Sequence, residues 1–261
     1  MNAPYEEMPT FEHEVSMQMA DERIEPFDFR KNDIFGTMIS HVPVLVANAR
    51  NAVSAPGYAH SWRGFWVAAS GIAYDTNPDE PRIGTYTSGN FKIRLDEEDR
   101  GEEDVEDVPK NCAEMDIAIR AGHDDQERIG LVVVAATTVT PRIEEVTGIA
   151  TPTLWPCVSC NEMMTESYLF DSRTIIMTIG SGNNIFQVQS AGDLRKRHQQ
   201  IANGESPKPL ETHRYSEHAW DAKRAFYKEE LRLRRLRADV YDPNKKRLNK
   251  CAELALEAMQ E

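Results

Sequence analysis

The chain has 261 residues, a formal net charge of −13, 40% hydrophobic residues and four cysteines. This length and composition predict a soluble globular protein of one domain with appendages, large enough to bury a core without disulfides. So acidic a chain is poorly suited to clamping phosphate backbones, and no apolar run reaches the roughly 18 residues of a membrane span. The N-terminus lacks the basic and apolar regions of a signal peptide, so a reducing, cytoplasmic location is expected.

The charge divides the chain into segments of different character. From residue 195 onward there are 16 basic and 11 acidic residues, whereas the preceding part holds 14 basic and 32 acidic ones. Linker-like residues at 203–209 follow the helix predicted at 191–200. We therefore expect an N-terminal extension at 1–31, a main domain at 32–202 and a helical extension at 203–261. The acidic tract at 96–107 is expected to be a solvated loop, with a lid beside the site as the alternative.

Hydrophobic periodicity predicts alternating helices and strands along the main domain. The predicted elements are helix 32–53, strand 65–74, strand 83–95, helix 112–121, strand 129–138, helix 160–168, strand 173–179 and helix 191–200. The first two strands are expected to form an antiparallel hairpin, and the apolar strand at 129–138 to be covered by helices on both faces. This order predicts an α/β layered domain, followed by helices at 215–237 and 250–260.

Three of the four cysteines stand in two short motifs at predicted helix starts. Cys112 begins the sequence Cys-Ala-Glu, and Cys157 and Cys160 form a Pro-Cys-x-x-Cys sequence. A Cys-x-x-Cys pair alone is also found in redox dithiols and structural zinc sites, although a structural site prefers a fourth protein ligand. Three thiolates with one open position are typical of catalytic zinc, where water takes the fourth place and is acidified by the metal. Helix N-termini favour such a site because they stabilise thiolates.

Glu114 adds an acid–base group to these thiols. It is too close in sequence to Cys112 to need a role as a ligand, and it can shuttle the proton of the metal-bound water. The arrangement is the zinc deaminase signature, in which Cys replaces the His of His-x-Glu ahead of Pro-Cys-x-x-Cys. It predicts Zn²⁺ held by Cys112, Cys157 and Cys160, with Glu114 catalytic. A structural zinc site is the alternative, and Cys251 is expected to be a small buried residue without a role in the site.

Over roughly residues 32–200 the chain resembles the cytidine deaminase family in its all-cysteine zinc class. Besides the zinc motifs, the residues at 55–61 and 65–69 are similar to a turn and strand of the family, and those at 175–177 and 180–183 correspond to a later strand and turn. The resemblance implies a three-layer α-β-α sandwich with a mixed sheet, here followed by a C-terminal helical extension. It also implies a homo-oligomer, generally a tetramer among such relatives.

The same resemblance implies several contacts with a nucleoside. In the family pattern, Phe65 packs beside the nucleoside, Asn90 hydrogen-bonds the ribose, and the backbone of Ala113 contacts the base. Trp155, which is next to Pro156, is a further candidate for the mouth of the pocket, with ordinary packing as the alternative.

Two departures from the family pattern point to an altered substrate. Lys92 stands where members that act on free cytidine have a glutamate that binds a ribose hydroxyl, and a lysine can only donate a hydrogen bond. It is a candidate for binding a carboxylate or phosphate, with a solvent-facing lysine as the alternative. Met115 replaces an arginine that partly neutralises the thiolates, and Arg120 is a candidate substitute although it lies on a different helical face from Glu114. The pattern resembles that of blasticidin-S deaminases.

These motifs predict a zinc-dependent hydrolase that deaminates a cytosine-containing nucleoside or close analogue, so the expected partner is a small nucleoside-type substrate. A deaminase of a nucleoside antibiotic such as blasticidin S is the first alternative. A catalytically silent protein that binds nucleotides or scaffolds partners is the alternative from another class. A polynucleotide deaminase is disfavoured by the net charge of −13. It remains an alternative because the segment from residue 195 onward has a net positive charge.

Overall fold

The structure, a computed structural model, describes residues 22–29, 31–54, 67–77, 79–92, 110–136, 142–143, 150–151, 156, 160–161, 163–164, 167–180, 184–215 and 220–241. The predictions for Phe65, Trp155 and Cys157 lie outside the described residues. So do those for the acidic tract at 96–107 and the helix at 250–260.

Helices and strands alternate along the described residues. They are β1 (Arg23–Pro26), α1 (Ile34–Ser54), β2 (Val67–Asp75), β3 (Arg82–Gly89), β4 (Phe91–Lys92), β5 (Lys110–Asn111), α2 (Ala113–His123), β6 (Arg128–Ala136), β7 (Arg142–Ile143), β8 (Ala150–Thr151), β9 (Ile175–Ile179), β10 (Ile185–Ser190), α3 (Ala191–Ala202), β11 (Thr212–Arg214) and α4 (Trp220–Tyr241). The four helices match those predicted to begin at 32, 112, 191 and 215 to within a few residues. Six strands have no counterpart among the predicted strands: β1, β5, β7, β8, β10 and β11.

Seven of the strands form one mixed sheet in the order β1-β3-β2-β6-β9-β10-β11. β2 and β3 make the expected antiparallel hairpin, with Ala68 opposite Gly89. β6 and β9 run parallel, whereas the other neighbouring strands run antiparallel. The parallel pair includes the central strand, β6, where both faces of the sheet are covered.

Two apolar cores lie on opposite faces of this sheet. α1 and α4 pack on one face and α2 and α3 on the other. Successive residues of β6 enter different cores, Val132 with α2 and Val133 with α1, because side chains alternate along a strand. The predicted three-layer α-β-α sandwich with a mixed sheet is therefore confirmed, as is the burial of β6 on both sides.

The tail beyond residue 203 packs on the same sheet. β11 pairs with β10, and Phe226 of α4 is completely buried in the core that α1 also lines. Arg232 of α4 donates a hydrogen bond to Ser190 Oγ at 3.2 Å and also contacts Asp193 and Glu229. These charge-assisted contacts fasten α4 to the start of α3. The boundary near 203 stays a prediction, but the described part of the tail shares the core of the main domain.

No helix in the described part of the chain is long and apolar enough to cross a bilayer.

Candidate functional site

Cys112 occupies the N-cap position of α2, immediately before the first helical residue, Ala113. Its backbone is extended, with φ −77° and ψ 148°, and its thiol makes no capping hydrogen bond to the helix. The first N–H groups of a helix lack partners within the helix, so this end of α2 favours negative charge. The position therefore suits a thiolate, as the sequence motif predicts.

Glu114 lies in the first turn of α2 and is only 5% exposed. A carboxylate is seldom buried to this degree without a partner or a function, because its desolvation is costly. α2 packs on the sheet through Ala113, Ile117 and Ala121, which follow one another at helical spacing and are fully buried. This apolar packing sets the distance between α2 and the sheet.

The helical segment that contains Cys160 packs in the same layer of the sandwich as α2. Cys160 is completely buried and helical, and Met164, one turn later, belongs to the same core as Ala113 and Ile117. Among the described residues no three Cys, His, Asp or Glu side chains form a metal-binding group. The third predicted ligand, Cys157, lies outside those residues, so the full ligand set stays a prediction.

The two described donors fit zinc in their chemistry. Cys112 and Cys160 are both thiols, one at a helix N-terminus and one in a buried helical segment. Zn²⁺ prefers sulfur ligands in sites of this kind, and a helix N-terminus stabilises the thiolate form that binds it. Met115, where the family pattern has an arginine, is half-buried and brings no charge. The positive group that offsets the thiolates therefore does not come from position 115.

Arg120, the other candidate for that charge, has its described contacts elsewhere. Its guanidinium donates to Glu22 Oε2 and to the carbonyl oxygen of Thr87, and it lies 3.7 Å from Asp116 Oδ2. These partners are carboxylates and a strand carbonyl, and none of them is a cysteine. Its side chain is directed toward β3 and the residue before β1, and a role of Arg120 in offsetting the thiolates stays a prediction.

A short antiparallel pairing brings the end of β3 beside Cys112. In this pairing β4 lies against β5 with Phe91 opposite Asn111. Asn90 immediately precedes β4, and Cys112 immediately follows β5. Two segments that lie about twenty residues apart in sequence thus meet at the start of α2.

Asn90 also makes a structural contact of its own. Its N–H donates to the Val67 carbonyl at 2.8 Å, and its Oδ1 accepts a hydrogen bond from the Val67 N–H at 2.9 Å. The side chain thereby joins the end of β3 to the first residue of β2. The implied ribose contact stays a prediction, and any such contact has to coexist with this one.

Lys92 lies directly opposite Lys110 in the β4–β5 pairing. Lys92 was predicted as a site residue, whereas Lys110 was not. β4 and β5 have two residues each and are too short to show a periodic pattern in the sequence. The two lysines stand one pair beyond Phe91 and Asn111, on the side away from Cys112. The pairing places two basic positions near the start of α2.

A polar cluster lies behind α2, on the side of β3. It comprises Glu22, Tyr86, Asp116, Arg120 and Asp124. Burial and a hydrogen bond with Asp124 raise the pKa of Glu22, while Arg120 acts in the opposite direction. Burial also raises the pKa of the Tyr86 hydroxyl, and the Asp124 carboxylate adds to this effect. Nothing in the sequence pattern pointed to this cluster, since Glu22 and Arg120 are 98 positions apart.

No protein-family model and no curated protein matches this chain. Among solved structures it is similar to a cytidine deaminase from Burkholderia pseudomallei, with 21% identity over 59% of this chain and 94% of that one, and a TM-score of 0.39. It is also similar to a cytidine deaminase from Mycobacterium leprae, with 15% identity over 62% of this chain and 98% of that one, and a TM-score of 0.33. At these levels of similarity the chemistry of the site has to be inferred from this chain's own residues.

Proposed function

We propose that the protein is a zinc-dependent hydrolase that deaminates the cytosine ring of a nucleoside or nucleoside analogue. The products are the uracil form and ammonia. The observation that carries the proposal is the first turn of α2, where Cys112 takes the N-cap position without capping the helix and Glu114 is buried beside it. When bound, Zn²⁺ supplies a Lewis acid that lowers the pKa of water for attack at C4.

Glu114 is the group that moves protons in this reaction. Its carboxylate accepts a proton from the attacking water and returns a proton to the departing amino group, so it serves as base and then as acid. The water oxygen bonds to C4, the bond from C4 to nitrogen breaks, and ammonia leaves. The backbone N–H groups at Ala113 and Glu114 lie in the first turn of α2, where they have no helical partners and suit contacts with the base.

A substrate panel tests the proposal directly. We expect purified protein to turn over at least one of cytidine, deoxycytidine, cytosine, the cytosine mononucleotides and blasticidin S. Loss of cytosine absorbance should be matched mole for mole by released ammonia. If protein containing about one zinc per chain binds these compounds yet releases no ammonia, the catalytically silent alternative is correct.

The pairing of Lys92 with Lys110 favours a second candidate, a cytosine compound that carries a phosphate or carboxylate. Two lysines at opposed backbone positions supply hydrogen-bond donors and positive charge, which are the groups that bind a phosphate or a carboxylate. This candidate changes the substrate class and leaves the roles of Cys112, Cys160 and Glu114 as proposed.

Lys92→Glu separates the two substrate classes. The change is expected to raise kcat/KM for cytidine by about tenfold, because a carboxylate accepts a hydrogen bond from a ribose hydroxyl, and to lower it for cytidine monophosphate by a similar factor. Steady-state kinetics with both substrates measure the effect. Lys31→Glu makes the same charge change at an exposed lysine before α1 and should leave both values unaltered. Equal shifts for the two substrates in Lys92→Glu would show that position 92 does not distinguish them.

A further inference from the structure

Arg120 joins α2 to two other parts of the fold. Its side chain is 12% exposed, and its Nη1 donates to the Thr87 carbonyl at 2.9 Å. Its Nε and Nη2 donate to Glu22 Oε2 at 3.2 and 3.1 Å. Asp116 Oδ2, one turn earlier on α2, lies 3.7 Å from Nη1, and the guanidinium carbon lies 5.7 Å from the centroid of the Tyr86 ring. One guanidinium thus links α2 to β3 and to the residue before β1.

The Thr87 carbonyl is a firm attachment point for this link. The pairing of β1 with β3 ends at Arg23 and Thr85, two residues before Thr87. Beyond Thr85, backbone carbonyls of β3 on the side of β1 no longer receive hydrogen bonds from β1 and need other donors. Arg120 supplies such a donor to Thr87. Thr87 is also buried and its hydroxyl is 2.9 Å from Ser70 Oγ of β2. The guanidinium therefore binds a part of the sheet that the neighbouring strand already holds.

The remaining contacts between α2 and the sheet are less directional. Three of the four residues that α2 contributes to the core are alanines, the fourth being Ile117 among Ala113, Ala118 and Ala121. Apolar contacts of small side chains set the distance between a helix and a sheet but resist sliding and rotation weakly, because they have no preferred direction. The planar fork of an arginine holds its acceptors in a defined geometry.

A displacement at Arg120 is carried to the start of α2. The helix is continuous from Ala113 to His123, so it moves as one unit. Glu114 lies six residues from Arg120, about 9 Å along the axis at 1.5 Å per residue. Asn90 lies three residues beyond Thr87 at the end of β3. The distance between Glu114 and Asn90 therefore depends on how α2 is held against β3 at Arg120.

We propose that Arg120 is a positioning residue for the reaction, which fixes the axial position of α2 and thereby aligns Glu114 with a substrate bound beside Asn90. The proposal rests on the proposed function for the role of Glu114. The contacts described for Arg120 include neither Cys112 nor Cys160. Its effect reaches the reaction through the helix.

Arg120→Met tests this role because methionine keeps an unbranched side chain of similar length but lacks the guanidinium that donates the hydrogen bonds. We expect zinc content to stay at the parent level, KM to change by less than about twofold and kcat to fall by about 10- to 100-fold, since a misplacement of about 1 Å costs up to about 10²-fold. Hydrogen exchange at residues 112–116 should quicken, including the Asp116 N–H that bonds to the Cys112 carbonyl at 3.1 Å. Arg120→Lys keeps the charge but cannot hold Thr87 and Glu22 together in the same geometry, so it should restore kcat only in part.

Arg82→Met is the matched control, because it removes another partly buried arginine of an ion pair, with Asp75 at 3.5 Å, from the other end of β3. It should leave both kcat and exchange at 112–116 unchanged. The proposal is overturned if Arg120→Met lowers kcat no more than Arg82→Met does, or if exchange at 112–116 is unaltered. If the parent protein deaminates no compound of the panel, the proposed function fails, and the exchange experiment still decides whether Arg120 positions the start of α2.

Discussion

Glu114→Gln is expected to lower kcat for cytosine deamination by about 10³-fold while zinc content stays at the parent level. General acid–base catalysis contributes about 10²–10⁴-fold, and Glu114 is proposed to act as both base and acid. Glutamine keeps the shape of a side chain that is only 5% exposed, so the packing of α2 should be preserved. Its amide does not take up a proton at neutral pH. Steady-state kinetics and metal analysis of the same preparation measure the two quantities.

Glu127→Gln is the control for this variant, because it makes the same chemical change at an exposed glutamate just beyond α2. Its Oε2 accepts a hydrogen bond from the Thr76 N–H at 3.2 Å, away from the first turn of α2. Its kcat should equal that of the parent protein. A Glu114→Gln variant with parental activity would contradict the proton-transfer role. A variant that loses zinc together with activity would place Glu114 among the ligands instead.

Cys112→Ala is expected to reduce the zinc content from about one atom per chain to near zero and to abolish activity. Cys157→Ala and Cys160→Ala should behave alike, because two remaining thiolates hold zinc far more weakly than three. Metal binding contributes to folding, so the melting temperature of each variant should also fall. Metal analysis after dialysis and thermal denaturation with and without a chelator are the measurements.

Cys251→Ala is the matched control for the cysteine variants, since it removes the one cysteine that belongs to neither motif. Its zinc content, melting temperature and activity should match those of the parent protein. Full zinc retention in Cys112→Ala would show that Cys112 is not a ligand. A parent protein whose thiols react freely and hold no zinc would instead favour the redox interpretation of Cys157 and Cys160.

Long periodic segments were predicted well from the sequence. α1 and α2 were expected within a few residues of their observed ends, because apolar residues recur at helical spacing and both segments bury that face. β6 was recognised from its apolar run at 131–136, which is what a strand covered on both sides requires. In each case the spacing of apolar residues within one continuous segment indicates which faces are buried.

Short and polar strands were not predicted. All four residues of β1 are exposed, and β11 consists of Thr212, His213 and Arg214. Such edge strands have no apolar period, and they exist because the backbone of a neighbouring strand offers hydrogen bonds. β10 was missed as well, since its two glutamines interrupt the apolar pattern although both are buried.

The sequence by itself determined the chemical groups proposed for the site. Cys112, Glu114 and the Pro-Cys-x-x-Cys motif are local patterns at helix starts, so their spacing alone predicts a zinc and proton-transfer chemistry. The structure then showed Cys112 at the start of α2 with Glu114 buried beside it. The tertiary structure alone decided what surrounds them. Asn90 holds the start of β2, Lys110 stands opposite Lys92, and Arg120 binds Glu22 and Thr87. These pairings join segments far apart in sequence, and they depend on how helices pack on the sheet, which no local spacing encodes.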